Sequence, residues 1–277
     1  MSSSLDRTLG RVRSEGRLAW GQLTASGRPL PDFVVIGVQR AGTTSLFRDL
    51  KQHPQVIGAA TKEVHYYDYN HGKGQRWYRS HFPTRRALAR NPGQPPVTGE
   101  ATPNYLFHPQ APWWVAAELP EARLVVMLRD PVARAHSHWK LNRRIGLEEL
   151  SFEEALDREE ERIAPDRRRL AGEPEYAAYD LFQYSYVTRG EYAEQLERWF
   201  AAVPRDRFLV VASETMDRRP DETFAAVTDF IGVERWRPPS FSHAHGSTGS
   251  DLAEETRARL DAHFDPHRRR LADLLGG

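Results

Sequence analysis

The chain has 277 residues, 39% of them hydrophobic, enough for one large core. It carries no cysteine, which excludes disulfides and zinc–thiolate centres. A formal net charge of +1 excludes a global attraction to nucleic acid or anionic membranes, so any anion must be read by local arrangement. Residues 1–27 are polar and Arg-rich, with Leu5, Leu9, Val12 and Leu23 at loosely helical spacing. They predict a peripheral helix ahead of a domain over 28–277, a partner-binding helix being the alternative. No apolar run there has the length of a signal peptide or membrane span, and a cytoplasmic location is expected.

The first strand, Phe33–Val38, runs into Gly37-Val38-Gln39-Arg40-Ala41-Gly42-Thr43-Thr44-Ser45, and a helix is expected over Thr43–Gln52. Gly37 and Gly42 have the spacing of the glycines in the phosphate-cradling loop GxxxxGK[ST]. Glycines let the backbone approach an anion, and the helix N-terminus turns amide N–H groups toward it. Thr43 stands where that loop has lysine, and the cation is Arg40. A triphosphate site thereby loses its usual contact to the β- and γ-phosphates, whereas a site for a single 5′-phosphate bearing a transferable group keeps what it needs. A tight strand-to-helix turn capped by Thr and Ser is the plain alternative.

Next comes Lys62-Glu63-Val64-His65-Tyr66-Tyr67-Asp68. In an extended segment Glu63 and His65 project to the same side. Glu63 is then a candidate general base and Lys62 a neutralising cation, with His65 a structural group or a supporting contact. A helix is predicted near Gln75–His81 and a strand over Pro96–Gly99. Glu100 follows that strand, in Gly99-Glu100-Ala101-Thr102-Pro103-Asn104-Tyr105. It either ties loops together by hydrogen bonds or touches substrate, and Tyr105 shares the second possibility. Trp113-Trp114, on a helix over Ala111–Glu118, reads as core packing rather than a sugar platform.

The strand Arg123–Leu128 ends in a cation, Arg129, and Pro131 opens a helix to Arg143 with Ser137 two turns in. In open α/β sheets ligands collect at the carboxyl ends of strands, where both Arg129 and the glycine loop fall. Two separate anion-reading elements imply a nucleotide with phosphates at both ends. A helix over Phe152–Ile163 leads into the charged stretch Arg158–Glu175, read as a solvated helix end and loop or, alternatively, a substrate lid. Tyr184, Tyr186, Arg189 and Gly190 precede a helix over Glu191–Ala202. A strand over Arg207–Ala212 and helices over Pro220–Ile231 and Leu252–Leu275, the last interrupted at Pro266, complete the chain. Apolar strands and short connections predict an α/β fold: a single three-layer domain with a central parallel sheet flanked by helices.

Six blocks carry a resemblance: GVQRAGTTSL, TKEVHYYD, VTGEATPNYLF, RLVVMLRDPVARAHSHWK, RGEYAEQLERWF and FLVVASETMDRRPDETFAAVTDFIGV, spanning Phe33 to about Val233. In that order they resemble the sulfotransferases that use 3′-phosphoadenosine 5′-phosphosulfate (PAPS), in the branch of bacterial and heparan-sulfate enzymes. The resemblance implies a P-loop-like fold and PAPS as donor, with no metal. It places Arg40, Ala41, Gly42, Thr43, Thr44 and Ser45 on the 5′-phosphosulfate, and Arg129 and Ser137 on the 3′-phosphate. It makes Glu63 the base, with Lys62 and Arg40 as catalytic cations, and puts Arg189 near nucleotide and acceptor. The acceptor would be a hydroxyl, or less readily an amine, of a carbohydrate, lipid or other small molecule, with Glu100, His65 and Tyr105 as candidate contacts.

The chain departs from the family in three places. Arg40 replaces the usual lysine, a planar fork for a point charge. Ala101 stands where many relatives have lysine after the glutamate, which disfavours a highly sulfated polysaccharide. The stretch Ser240–Gly249, matching a basic nucleotide-closing loop, has no Lys or Arg and reads as a flexible loop. Two other classes stay open: a P-loop kinase or NTPase with Asp130 on Mg²⁺, disfavoured by the missing loop lysine, and a non-catalytic nucleotide-binding protein, disfavoured by Lys62 and Glu63.

Overall fold

The computed structural model describes residues 21–242 and 252–276. Most of the N-terminal extension, and all of Ser240–Gly249 beyond Ser242, therefore lie outside the described residues. Five strands form one sheet: β1 (Phe33–Gly37), β2 (Val56–Gly58), β3 (Val97–Ala101), β4 (Arg123–Leu128) and β5 (Phe208–Ala212). Their order is β2-β3-β1-β4-β5, and every pairing is parallel. β1 lies in the middle, all five of its residues buried, as its uninterrupted apolar run requires of a sheet covered on both faces. Val34 pairs with Glu100 on one side and Leu124 on the other, which aligns the carboxyl ends of β1, β3 and β4.

Helices flank this sheet: α1 (Thr43–Leu50), α2 (Gly74–Arg79), α3 (Arg85–Ala89), α4 (Ala111–Glu118), α5 (Pro131–Arg144), α6 (Phe152–Asp157), α7 (Glu159–Gly172), α8 (Tyr179–Tyr184), α9 (Tyr192–Ala202), α10 (Ser213–Arg218), α11 (Pro220–Ile231) and α12 (Glu254–Leu275). The main core runs from β1 and β4 through Phe47, Tyr105 and Trp199 to Phe224. The Trp199 indole donates to the Leu106 carbonyl at 3.1 Å, so even this buried ring is hydrogen-bonded.

Several expectations need correction. The charged stretch is a helix, α7, rather than a helix end and loop. Glu159, Ile163, Asp166 and Leu170 recur at intervals of four, three and four and are the buried stripe on its inner face. The helix expected over Phe152–Ile163 is two: α6, opened by a capping box of Ser151 and Glu154, ends at Asp157, and Arg158 stands between it and α7. α12 runs through Pro266 without interruption. Trp113 is half exposed, and Trp114 stacks on His71 with ring centres 3.9 Å apart, so only the second tryptophan packs inward. β2 is a three-residue edge strand, too short to show a periodicity.

Candidate active site

The site begins where β1 ends. Gly42 takes φ +87, a left-handed conformation that suits glycine, and stands at the N-cap of α1. It offers the first turn of α1 no side-chain acceptor, and that turn holds no acidic residue, so the amides of Thr43, Thr44 and Ser45 keep their positive character. Arg40 is also left-handed, at φ +74. Its carbonyl accepts from Arg129 Nη1 at 2.9 Å, and its Nε donates to Ser137 Oγ at 3.0 Å. The two anion-reading elements predicted from separate stretches therefore meet at one residue. Burial lowers the Arg40 pKa, and the like charges of Arg129 and Arg144 lower it further. Three guanidinium groups crowded this way gain from an anion placed among them.

The second wall comes from the segment after β2. Glu63 and His65 have φ +59 and +55, and with Arg40 they are the left-handed non-glycine residues among those described. Non-glycine residues hold that conformation at a cost of about 1 kcal/mol or more, and such strain concentrates at functional sites. The Glu63 carboxylate pairs with Lys62 Nζ and lies 3.6 Å from His65 Nε2. Burial pushes this carboxyl up, but the His65 hydrogen bond and the Lys62 charge outweigh burial and hold it at about 2. His65 in turn donates Nδ1–H to Asp68 Oδ2 at 2.7 Å. Burial opposes its charge, yet the bonds to Asp68 and Glu63 raise it to about 9, so it is an imidazolium at neutral pH.

The network continues. Asp68 Oδ2 also accepts from Asn104 Nδ2 at 2.9 Å, and Asn104 Oδ1 accepts from Arg189 Nη1 at 2.9 Å. Arg189 is buried, its guanidinium 4.7 Å over the Phe107 ring, with Nη2 donating to the Phe182 carbonyl. Burial and the neighbouring charge of Arg134 push it down to about 9, which leaves it charged at neutral pH. Glu63, His65, Asp68, Asn104 and Arg189 thus form one chain of contacts.

A cavity of about 240 Å³ opens among Arg40, Thr43, Thr44, Glu63, His65, Asn104 and Arg189. Residues predicted from the glycine loop, from the KEVH segment and from the region before α9 share this space. Lys62 joins it through Glu63, and Ser137 and Arg129 through Arg40. Arg129 also borders a more apolar cavity of about 360 Å³ beside Tyr192 and Phe264. Ser242 donates its amide to Asp49 on α1.

Glu100 and Tyr105 stand elsewhere. Both are fully buried and take no part in lining the cavity. Glu100 accepts from Tyr78 Oη at 2.8 Å, Thr102 Oγ1 at 2.6 Å and Tyr105 Oη at 3.0 Å, and Tyr105 Oη accepts from the Tyr66 amide at 2.8 Å. Of the two readings of Glu100, the geometry matches the tie between loops. Asp68 and Asn104 are the residues to which the sequence reading gave no role. The three-residue step from His65 to Asp68 was a usable signal for the first; nothing local pointed to the second.

The family model described as "Sulfotransferase domain" matches residues 30–240. The chain is 33% identical over 218 residues to heparan sulfate glucosamine 3-O-sulfotransferase 3B1 of Mus musculus, covering 76% of this chain and 48% of that protein. It is 33% identical over 208 residues to the human 3-O-sulfotransferase 6, covering 75% and 54%. The chain spans about half the length of these curated relatives. Among solved structures, a sulfotransferase from Alicyclobacillus acidocaldarius superposes with a TM-score of 0.67 at 29% identity, covering 90% of this chain and 96% of that one.

Proposed function

The chain belongs to the sulfotransferase domain family, and from that premise we propose that it moves the sulfuryl group of PAPS to a hydroxyl of a carbohydrate or other small-molecule acceptor. The observation that carries the reading is the convergence of Arg40, Arg129 and Ser137 beside the Lys62–Glu63 pair: an anion-binding cluster next to a carboxylate. In the proposed step the acceptor oxygen attacks sulfur, a new S–O bond forms, and the bond from sulfur to the bridging phosphate oxygen breaks. Glu63 takes the acceptor proton, and the leaving adenosine 3′,5′-bisphosphate keeps the bond's electron pair. Arg40 and the first-turn amides of α1 meet the charge that builds on the 5′-phosphate. Arg129 and Ser137 are assigned to the 3′-phosphate.

The Lys62–Glu63 pair gives this scheme an order. A carboxylate held near 2 is a weak base at neutral pH, because proton acceptors work best with a pKa near the working pH. A sulfuryl group beside Lys62 competes for its charge. Once Lys62 turns to the donor, Glu63 loses one of the groups that depress it and becomes a stronger base, so base strength follows donor binding. His65, fixed by Asp68, is proposed to keep Glu63 oriented rather than to take the proton. A hydroxyl acceptor fits a site built around a base. The two curated relatives named above are heparan sulfate enzymes, and the carbohydrate class of acceptor is proposed on that likeness; Ala101, buried in β3, lines no part of the cavity and does not bear on the acceptor.

The test is ligand-dependent thermal stability. Adenosine 3′,5′-bisphosphate should raise the melting temperature more than 5′-AMP does, and more than ATP with Mg²⁺. Equal shifts with 5′-AMP and the bisphosphate would remove the 3′-phosphate assignment. A larger shift with ATP and Mg²⁺, together with loss of turnover in EDTA, would favour a kinase-like site.

A further inference from the structure

The junction between α12 and the segment before α9 holds a group of side chains that sulfuryl transfer does not use. Gly190 makes the junction possible, because a Cβ on it would lie 2.8 Å from the Phe264 ring and 3.0 Å from Pro131. Without that carbon the Phe264 ring seats directly on the backbone of Gly190. Its neighbours on α12, His263 and His267, then come over Glu191, the residue that follows Gly190 and caps α9. His263 Nε2 is 3.0 Å from Glu191 Oε1 and His267 Nε2 is 3.9 Å from the same oxygen. The two histidines are four residues apart on one helix, and their rings stack with centres 5.2 Å apart. One ligand atom from each of the three residues falls within a sphere where all lie within 4.8 Å of one another.

We propose that Glu191, His263 and His267 bind one divalent transition-metal ion, zinc fitting best, and that the ion fastens α12 to the segment carrying Arg189. Two imidazoles and a carboxylate are a borderline donor set of the kind zinc takes, and three protein ligands leave a fourth position for water. Zinc bonds of about 2.0–2.1 Å put tetrahedral ligand atoms about 3.3 Å apart, so small rotations of the histidine side chains close the present spacing. Three arginines of α12 near the site are already paired with acid, which tempers their opposition to a cation there. Arg259 pairs with Asp157, Arg268 with Asp130 and Asp261, and Arg270 with Glu194 and Glu197. Glu191 and His263 also border a cavity of about 290 Å³, which has room for the water.

None of the three ligands lines the cavity that holds Glu63, so the ion is structural rather than a participant in sulfuryl transfer. Its consequence is positional. Glu191 is two residues from Arg189, and His267 borders the cavity beside Arg129. An ion at this point ties the C-terminal helix to two of the arginines assigned to the nucleotide side.

The test uses tag-free full-length protein stripped with EDTA and dialysed. Titration with Co²⁺ is read by visible absorption, and Zn²⁺ affinity by competition with a chromogenic chelator. One equivalent of Co²⁺ should produce d–d bands typical of low coordination number. Zn²⁺ at a hundredfold excess over its Kd should raise the melting temperature by about 5 °C. His263→Ala and His267→Ala should each weaken Zn²⁺ binding at least about tenfold and remove the Co²⁺ bands, and Glu191→Gln should weaken binding as well. Circular dichroism of each variant in EDTA establishes that it is folded before binding is compared. No saturable binding up to about 1 mM ion, or wild-type affinity in either folded histidine variant, overturns the proposal.

Discussion

Replacing Glu63 by Gln changes one property of the site and leaves its shape. The amide can still accept from Lys62, but it cannot take a proton, and it no longer offers His65 a charged partner. The structure sets the size of the effect. A positioned base contributes roughly 10²–10⁴-fold to proton transfer. Glu63 is held at about 2 while Lys62 is paired with it, which places the loss near the lower end if Lys62 stays and nearer the upper end if the donor draws Lys62 away. A fall in single-turnover rate of about 10²-fold or more is therefore expected, equivalent to about 2.7 kcal/mol. The affinity for adenosine 3′,5′-bisphosphate, measured by calorimetry, should stay within about threefold, because Arg40, Arg129 and Ser137 are untouched. A rate within about threefold of wild type would refute the assignment of Glu63 as base. A loss of nucleotide affinity as large as the loss of rate would refute the separation of the two roles. An acceptor amine that is already neutral at the assay pH needs less help, and with such an acceptor the effect should shrink.

Arg129→Ala should abolish the preference for the bisphosphate over 5′-AMP, at a cost of about 2–3 kcal/mol in bisphosphate binding by calorimetry, since a charge-assisted hydrogen bond is left unmade. His65 gives the folded protein a pH signature. Its folded pKa, about 9, lies above its ordinary value of about 6.5, so its stabilising contribution is full below that value and is lost as pH rises through 9. The melting temperature should fall between neutral pH and pH above 9, and His65→Gln should flatten that limb. Glu100→Ala should cost about 3 kcal/mol or more in urea denaturation, because three buried hydroxyls lose their acceptor. Glu100→Gln, which keeps an acceptor, should retain most of the turnover at temperatures well below unfolding.

The parts of the site that follow from neighbours in sequence were legible before the fold was known. The glycine loop at Gly37–Ser45, the cation ending β4 and the Lys62–Glu63 pair each carry their chemistry within a few residues. Four of the five strands were legible for the same reason, since β1 is an apolar run and β4 is apolar after Arg123, as strands covered on both faces require. What escaped was decided by tertiary contact. A carboxylate after a strand reads alike whether exposed or buried, and it is the approach of Tyr78, 22 residues earlier, together with Thr102 and Tyr105, that makes Glu100 an interior acceptor. The link from Asp68 through Asn104 to Arg189 joins three separate stretches of chain. α7 was hidden by composition, because two of the four residues on its buried stripe, Glu159 and Asp166, are acidic. Glu159 is tolerated there because it accepts from the amides of Val187 and Thr188.

The measurement that tests the central claim most directly is the fate of the sulfuryl group itself. Protein incubated with PAPS labelled at sulfur and a panel of hydroxyl-bearing carbohydrates and small molecules should move label onto at least one acceptor. It should release one adenosine 3′,5′-bisphosphate per sulfate transferred, in the presence of excess EDTA, and Glu63→Gln should do so far more slowly. Label that stays on PAPS with every acceptor, while ATP with Mg²⁺ is turned over instead, would contradict the account.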